Sequence, residues 1–293
     1  MLPEKLNAAI ASMLAQKNKK ETSIISARPL SGGSINYAYL LETSSGKYFV
    51  KYNKASAYPG MFAQEARGLE ILFTANALRV PEVIGSGESG NNSFLLLEYI
   101  ESASQNNDFW EVFGQKLAKL HSHTAGNFGL DHDNYIGSLP QYNNTHGRWT
   151  DFFREERLQV QIDMAGRSGL LSKEMLSSFE RLFKKLDEIF PDVSPSLIHG
   201  DLWSGNYMVD EKGEACIIDP AVYYGSREMD IGMSRLFGGF SGRFYEAYNA
   251  ACPMAPGWQQ RLDICNLYPL MVHVNLFGGG YVGSVEAILR RFK

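Results

Sequence analysis

Little in this sequence suits a disulfide scaffold, a nucleic-acid groove or a membrane span. Its 293 residues include only three cysteines, Cys216, Cys252 and Cys265. The count is odd and none forms a C-x-x-C pair, so neither a disulfide framework nor a zinc site is indicated. Buried free thiols in a reducing compartment are expected instead. Excess positive charge is missing too. Against 32 Asp and Glu stand 28 Lys and Arg, a net −4, so no basic field exists to hold a phosphate backbone and nucleic acid is not an expected partner. Long apolar runs are absent. The stretch 267–285 leans that way but is broken by His273, Asn275 and Gly278-Gly279-Gly280. It reads as a core helix stopped by a glycine turn, and no membrane association is expected. The opening residues carry Glu4 and Lys5 and no apolar h-region, so no secretory signal is read and the cytoplasm is the expected compartment. Repeats and low-complexity tracts are also lacking.

What is present is patterned in two halves. Residues 4–16 space Leu6, Ile10, Met13 and Leu14 as an amphipathic helix. Strand-like runs follow at 24–28, 36–42 and 47–52, the last two joined by the turn Thr43-Ser44-Ser45-Gly46. A helix is predicted over 61–78, then strands at 83–85 and 94–100. Beyond residue 100, helical periodicity takes over at 108–123, 149–167, 172–190, 229–249 and 257–276. It is interrupted only by short strands at 207–209 and 215–218. The pattern predicts a strand-rich lobe over 1–100 and a larger, mainly helical lobe over 101–293, with a hinge at 98–102.

The chemistry centres on His199-Gly200-Asp201-Leu202-Trp203-Ser204-Gly205-Asn206. Phosphoryl transfer needs one carboxylate to take the acceptor hydroxyl's proton, and an amide oxygen and a second carboxylate to hold magnesium against the nucleotide phosphates. Asp201, Asn206 five residues on, and Asp219 after a short hairpin supply that set, at a spacing that resembles the protein-kinase catalytic loop. An Asp-x-x-x-x-Asn alone means little, but four further features accompany it in order. Gly32, Gly33 and Ser34 lie in a turn between strands, where backbone N–H groups can meet phosphates or simply close a hairpin. Lys51 sits in the apolar strand Tyr48-Phe49-Val50-Lys51-Tyr52. Glu65 shares a helix face with Met61, Leu69 and Leu72, and a carboxylate on an apolar stripe needs a partner, for which Lys51 is the natural cation. The strand ending in Glu98, Tyr99 and Ile100 runs into the lobe boundary, where hinge backbones meet adenine in kinases. The expected fold is α+β, two-lobed and protein-kinase-like, with a small antiparallel-sheet N-lobe bearing one helix and a larger helical C-lobe.

The segment HGDLWSGN, the stretch Ile217-Ile218-Asp219-Pro220-Ala221 and the run Arg227-Glu228-Met229-Asp230 resemble the fructosamine kinase (ketosamine-3-kinase) family, within the aminoglycoside/choline kinase-like fold. Further matches lie at 32–36, 61–66 and 133–137. The resemblance covers nearly the whole chain. It implies Asp201 as catalytic base, Asn206 and Asp219 as Mg2+ ligands, and Lys51 on the phosphates of ATP, paired with Glu65. It also implies that Glu98, Tyr99 and Ile100 contact adenine through the backbone. The implied reaction is ATP-dependent phosphorylation of a sugar hydroxyl on a ketosamine, small or protein-linked, whose 3-phosphate then eliminates to free the amine. Family members often carry a cysteine in the glycine-rich turn. This chain has Ser34 there, so no thiol switch is expected at that point.

Trp203 has no part in general kinase chemistry. Two residues from Asp201, its ring could pack on a sugar or its amine, or could be a packing tryptophan. Asp230 reads as a brace for the catalytic loop, as does His199, while His121 and His123 read as ordinary helix-end histidines. Two other readings are weighed: a kinase for an aminoglycoside, choline or homoserine, and a nucleotide-binding pseudokinase scaffold. The joint presence of Lys51, Glu65, Asp201, Asn206 and Asp219 speaks against the scaffold. The oligomeric state stays open in the sequence, with a monomer favoured.

Overall fold

The structure, a computed structural model, describes residues 2–30 and 35–292, so the turn with Gly32, Gly33 and Ser34 lies outside the described residues. The elements in chain order are α1 (Glu4–Asn18), β1 (Ile24–Leu30), β2 (Tyr37–Thr43), β3 (Gly46–Lys54), α2 (Met61–Ala75), β4 (Val83–Ser89), β5 (Asn92–Glu98) and α3 (Phe109–His121). Then come β6 (Asn134–Ile136), β7 (Leu139–Gln141), α4 (Trp149–Phe152), a π-helix (Phe153–Gln159), α5 (Val160–Arg167), α6 (Lys173–Phe183), α7 (Leu186–Ile189), β8 (Ser196–Ile198), β9 (Tyr207–Val209), β10 (Ala215–Ile217) and β11 (Tyr223–Gly225). The chain closes with α8 (Glu228–Leu236), α9 (Gly242–Ala251), α10 (Trp258–Cys265), α11 (Leu267–Phe277), a 3-10 turn (Gly279–Tyr281) and α12 (Val282–Leu289). Two compact units form: Met1–Asn107 with Met208–Ile218, and Asp108–Tyr207 with Asp219–Lys293. Relative to a division at residue 100, the hairpin 208–218 thus joins the first unit.

The first unit is a five-stranded antiparallel sheet, ordered β1-β2-β3-β5-β4. Alternation of side chains along β3 decides what each face does. Val50 and Tyr52 point to α1, whose Leu6, Ile10 and Leu14 complete a core with Leu41, Phe94 and Leu96. Lys51 and Asn53 point the other way and meet Glu65 and Met61 of α2. The predicted helix over 61–78 stops at Ala75, because Asn76 takes a left-handed conformation (φ 48°) and its N–H caps Phe73. The strands at 83 and 94 run longer than expected, to Ser89 and from Asn92, since the turn needs only Gly90 and Asn91. The 208–218 hairpin is tied in by Arg79. Its carbonyl accepts from Ile217 N–H, and its guanidinium reaches Asp210 (2.9 Å), Glu211 (2.6 Å) and Glu98 (2.7 Å).

The second unit is helical around a large apolar core that runs from Phe128 to Phe292. Several predicted helices are interrupted. The segment 229–249 splits into α8 and α9 because Gly238 and Gly239 adopt φ of 72° and 93°, after which the Ser241 side chain caps α9 at Arg243 N. The 149–167 segment relaxes into the π-helix, which carries fully buried Arg157 over the Tyr223 ring at 3.9 Å. Helices α3 and α9 approach closely at Gly114. A Cβ there would lie 2.3 Å from the Phe244 carbonyl oxygen. Gly114→Ala must push α9 away and should cost ~1–3 kcal/mol, seen as a fall in thermal melting temperature. An unchanged melt would mean that the pair has room.

Candidate active site

The catalytic loop is built by backbone constraints that its own sequence meets. β8 delivers His199 and Gly200, and β11 pairs β8 antiparallel, Tyr223 opposite Ile198. Between them, Ala221 N–H donates to the His199 carbonyl at 2.9 Å. Gly200 adopts φ 84°, and a Cβ on it would stand 2.0 Å from the Ala221 carbonyl oxygen, so both conformation and space require glycine. Asp201 N–H then donates to His199 Nδ1 at 3.2 Å, which gives His199 the loop-bracing bond expected of it.

The loop is clamped from below by one buried carboxylate. Asp230 Oδ2 accepts the His199 N–H (2.8 Å) and Oδ1 the Gly200 N–H (2.9 Å). His121 Nε2 sits 3.2 Å from Oδ2, and its Nδ1 lies 2.8 Å from the Tyr248 hydroxyl. Burial opposes the charge on Asp230. The hydrogen bond and charge interaction with His121, with help from His199, outweigh it and hold the carboxyl below the usual carboxylate range. His121 is therefore no ordinary helix-end histidine. It is 109 residues from Asp230 in the chain, and no local pattern signals the pair.

Asp201 and Asn206 come together as their spacing suggested. The Asn206 Nδ2 donates to the Asp201 carbonyl and to Asp201 Oδ2, both at 2.9 Å, and lies 3.5 Å from the Asp219 carbonyl oxygen. These bonds use only the amide nitrogen, which leaves Oδ1 as the ligand atom. Asp219 adopts φ 51°, a strained conformation for a residue with a side chain, and it lies two residues beyond the end of strand β10. Burial pushes the Asp201 carboxyl up to about 7. The Asn206 hydrogen bond opposes this, and the nearby charges of Asp219 and Asp230 add to it. The carbonyls after Asp219 are pinned by residues whose part the sequence did not reveal. Asn134 Nδ2 donates to the Val222 carbonyl (2.8 Å) and Gln141 Nε2 to that of Ala221 (3.1 Å).

Trp203 is 37% exposed. Its ring folds over Gly205, where a Cβ would fall 2.3 Å from the indole, and meets Phe237 edge-on at a centroid distance of 6.2 Å. In the first unit, Lys51 is buried with its Nζ 2.6 Å from Glu65 Oε1. The Glu98 N–H is already taken by the Glu82 carbonyl and its side chain by Arg79. At this strand end Tyr99 and Ile100 follow, Ile100 being buried.

Among the described residues no cluster of three His, Cys, Asp or Glu is arranged to hold a metal. Magnesium does not need one, because phosphate and water oxygens complete its shell around one or two protein ligands. The Asn206 amide oxygen and the Asp219 carboxylate are hard donors of that kind, and a cation there would offset the mutual repulsion of Asp201 and Asp219. The residues fit the ion.

Comparison with known proteins gives a consistent result. Residues 6–293 match the family model described as fructosamine kinase. A probable ketoamine kinase from Synechocystis is 41% identical over 283 residues, covering 96% of this chain and 95% of its own. The chloroplastic protein-ribulosamine 3-kinase of Arabidopsis thaliana is 38% identical over 275 residues, 92% of this chain and 83% of its own. A crystal structure of a fructosamine-3-kinase candidate from Haemophilus somnus superposes with a TM-score of 0.88 at 30% identity, covering 97% and 96% of the two chains. Aminoglycoside phosphotransferase APH(4)-Ia, at 17% identity, 97% and 98% coverage and a TM-score of 0.63, shares the fold. The expected α+β kinase-like class is thus the observed one. No helix among the described residues is long and apolar enough to cross a membrane.

Proposed function

The chain belongs to the fructosamine kinase family, and from that premise we propose that it transfers the γ-phosphoryl group of ATP to a sugar hydroxyl of a ketosamine. The observation that carries this reading is the Asp201 carboxyl, raised towards 7 by burial and hydrogen-bonded to Asn206 at 2.9 Å. A carboxylate with that proton affinity is suited to accept the proton of the attacking hydroxyl near neutral pH. The hydroxyl oxygen bonds to the γ-phosphorus, the bond from phosphorus to the bridging oxygen breaks, and ADP leaves. Asn206 holds the carboxylate in place through Nδ2. Lys51, fixed by Glu65, is assigned to the nucleotide phosphates, and the backbone of Glu98–Ile100 to adenine. The Glu98 carbonyl and the N–H groups beyond it serve, since the Glu98 N–H is occupied.

Magnesium belongs to this proposal, with Asn206 Oδ1 and Asp219 as its protein ligands. When bound it neutralises charge that builds on the phosphate oxygens. Release of the amine is a later part of the same reading: loss of a C1 proton with departure of the C3 phosphate, a better leaving group than hydroxide, leaves an imine, which water hydrolyses to the free amine and a 3-deoxy dicarbonyl sugar. The cytoplasm as compartment and a monomeric state are parts of the same reading.

The test is ADP release with magnesium-ATP against fructose-, ribulose- and erythrulose-amines, aminoglycosides and choline. Turnover of at least one ketosamine is expected. Turnover confined to the other alcohols would overturn the substrate assignment, and ATP binding without any turnover would point to a scaffold.

A further inference from the structure

Five aromatic rings of the second unit form one connected row that begins in the catalytic loop. Trp203 meets Phe237 (6.2 Å between centroids), Phe237 meets His273 (5.0 Å), and His273 meets both Phe277 (5.5 Å) and Tyr281 (4.9 Å). Local structure explains each placement. Phe237 caps the end of α8 before the glycines that break the helix, and Gly239 lies against Ser204 of the catalytic loop. His273 and Phe277 are one turn apart on α11. Gly278, at φ 83°, ends that helix so that the following 3-10 turn carries Tyr281 back against His273.

Three of these rings face solvent, His273 is half-buried between them, and Tyr281 packs against the core behind it. Trp203, Phe237 and Phe277 are among the few large apolar side chains left exposed, Phe277 at 56%. Exposed aromatic rings joined through a half-buried one beside a catalytic loop mark a ligand surface. We propose that this row is a track for the amine carrier of the ketosamine, the alkyl or polypeptide arm that ends in the glycated nitrogen. The inference rests on the ketosamine reading of the site.

The direction of the row selects the carrier. The sugar hydroxyl must reach Asp201, and Trp203 is the ring nearest to it in the loop. What extends along Phe237, His273 and Phe277 is then the far end of the substrate. Its centroid steps from Trp203 to Phe277 span at most about 17 Å, about five extended residues. Its chemistry also suits that end. A ketosamine nitrogen is a secondary amine, cationic at neutral pH, and aromatic faces attract such a cation. His273 does not repel it. Burial lowers the pKa of this ring against the opposing bond to the Pro269 carbonyl, so it stays neutral. Its Nδ1 donates to that carbonyl at 2.7 Å, which leaves Nε2 an acceptor for an ammonium or a peptide N–H. The methylene stem of a lysine packs on ring faces as any apolar chain does.

The experiment compares two ketosamines that carry the same sugar, one on methylamine and one on a lysine within an eight-residue peptide. The readout is the ratio of their kcat/KM values. Phe277→Ala and Phe237→Ala should each lower the peptide-to-methylamine ratio roughly five- to tenfold, through KM. Binding of the glycated peptide should change tryptophan emission in the native protein, should not do so in Trp203→Phe, and should need a higher peptide concentration in Phe277→Ala. Phe277 is a surface residue, so its variant should melt as the native protein does. An unchanged ratio in both variants would overturn the track. If the native enzyme turned over neither ketosamine, the substrate reading would fail, and the track with it.

Discussion

Asp201→Asn should lose turnover by roughly a hundred-fold or more while ATP affinity stays near native, because the amide keeps the shape of the carboxyl but cannot take a proton. The Asn206 Nδ2 bond can survive, since the new side chain still offers an oxygen at the position of Oδ2, which now accepts at 2.9 Å. Loss of the base is therefore separable from collapse of the loop. The same substitution should stabilise the fold. Asp201 has its pKa raised in the native state, so between its unfolded value, near 3.8, and about 7 the folded protein binds more protons than the unfolded chain. Stability from this group is thus present below pH 4 and lost as pH rises through 7. Asparagine removes that loss. Asp201 is only partly buried, so solvent screens the penalty, and a gain of ~1–3 kcal/mol above pH 7 is expected. Melting of both proteins in EDTA across pH 4 to 8 measures it. The gain should grow with pH and should shrink when magnesium is present. Near-native turnover in the variant would remove Asp201 from its role, and a melting difference independent of pH would show that its carboxyl carries no burial penalty.

Half of this site could be read along the chain because the chemistry there is local. Asp201 and Asn206 lie in one loop, where five-residue spacing fixes what the amide can touch. Lys51 and Glu65 could be paired because a carboxylate at helical spacing with Met61, Leu69 and Leu72 has to find a cation in the apolar layer beneath it, and strand alternation puts Lys51 on that layer. The elements that escaped notice are fixed by tertiary contact. The break between α8 and α9 depends on two positive-φ glycines, Gly238 and Gly239, the second packed beside Ser204, and the π-helix on the space that Arg157 finds against Tyr223. Helical periodicity continues unperturbed through both. The short strands β8 and β11 hold three residues each, too few to show alternation, and exist because they pair with each other. Asn134 and Gln141 act through carbonyls some eighty residues away, which neither spacing nor residue type announces.

Asp230, which the sequence marks as a brace for the loop without showing what it bonds, has the most partners there, and its removal should have the largest structural effect. Both of its oxygens are committed to backbone N–H groups of the loop, and Oδ2 also meets His121. Asp230→Asn keeps size and shape but supplies only one acceptor oxygen. Its NH2 would face a backbone N–H or the His121 Nε2 proton, leaving a buried donor without a partner. Loss of the charge-assisted bonds together with that orphan should cost ~3–5 kcal/mol. Since the His199–Gly200 backbone carries Asp201, a shift approaching 1 Å should also lower kcat by roughly a hundred-fold. The pH dependence separates bracing from mere bulk. The pKa of Asp230 is depressed in the native state, so its contribution is present above the unfolded value near 3.8 and is lost as pH falls through the folded one. The melting difference between native and Asp230→Asn proteins should therefore be full at pH 6 and narrow below pH 4. His121→Phe, which removes one of the two partners of Oδ2 together with the contact to the Tyr248 hydroxyl, should give a smaller loss of both stability and kcat, because the two backbone donors remain satisfied. Asp230→Asn retaining native kcat would mean that Gly200 and the Ala221 contact hold the loop unaided.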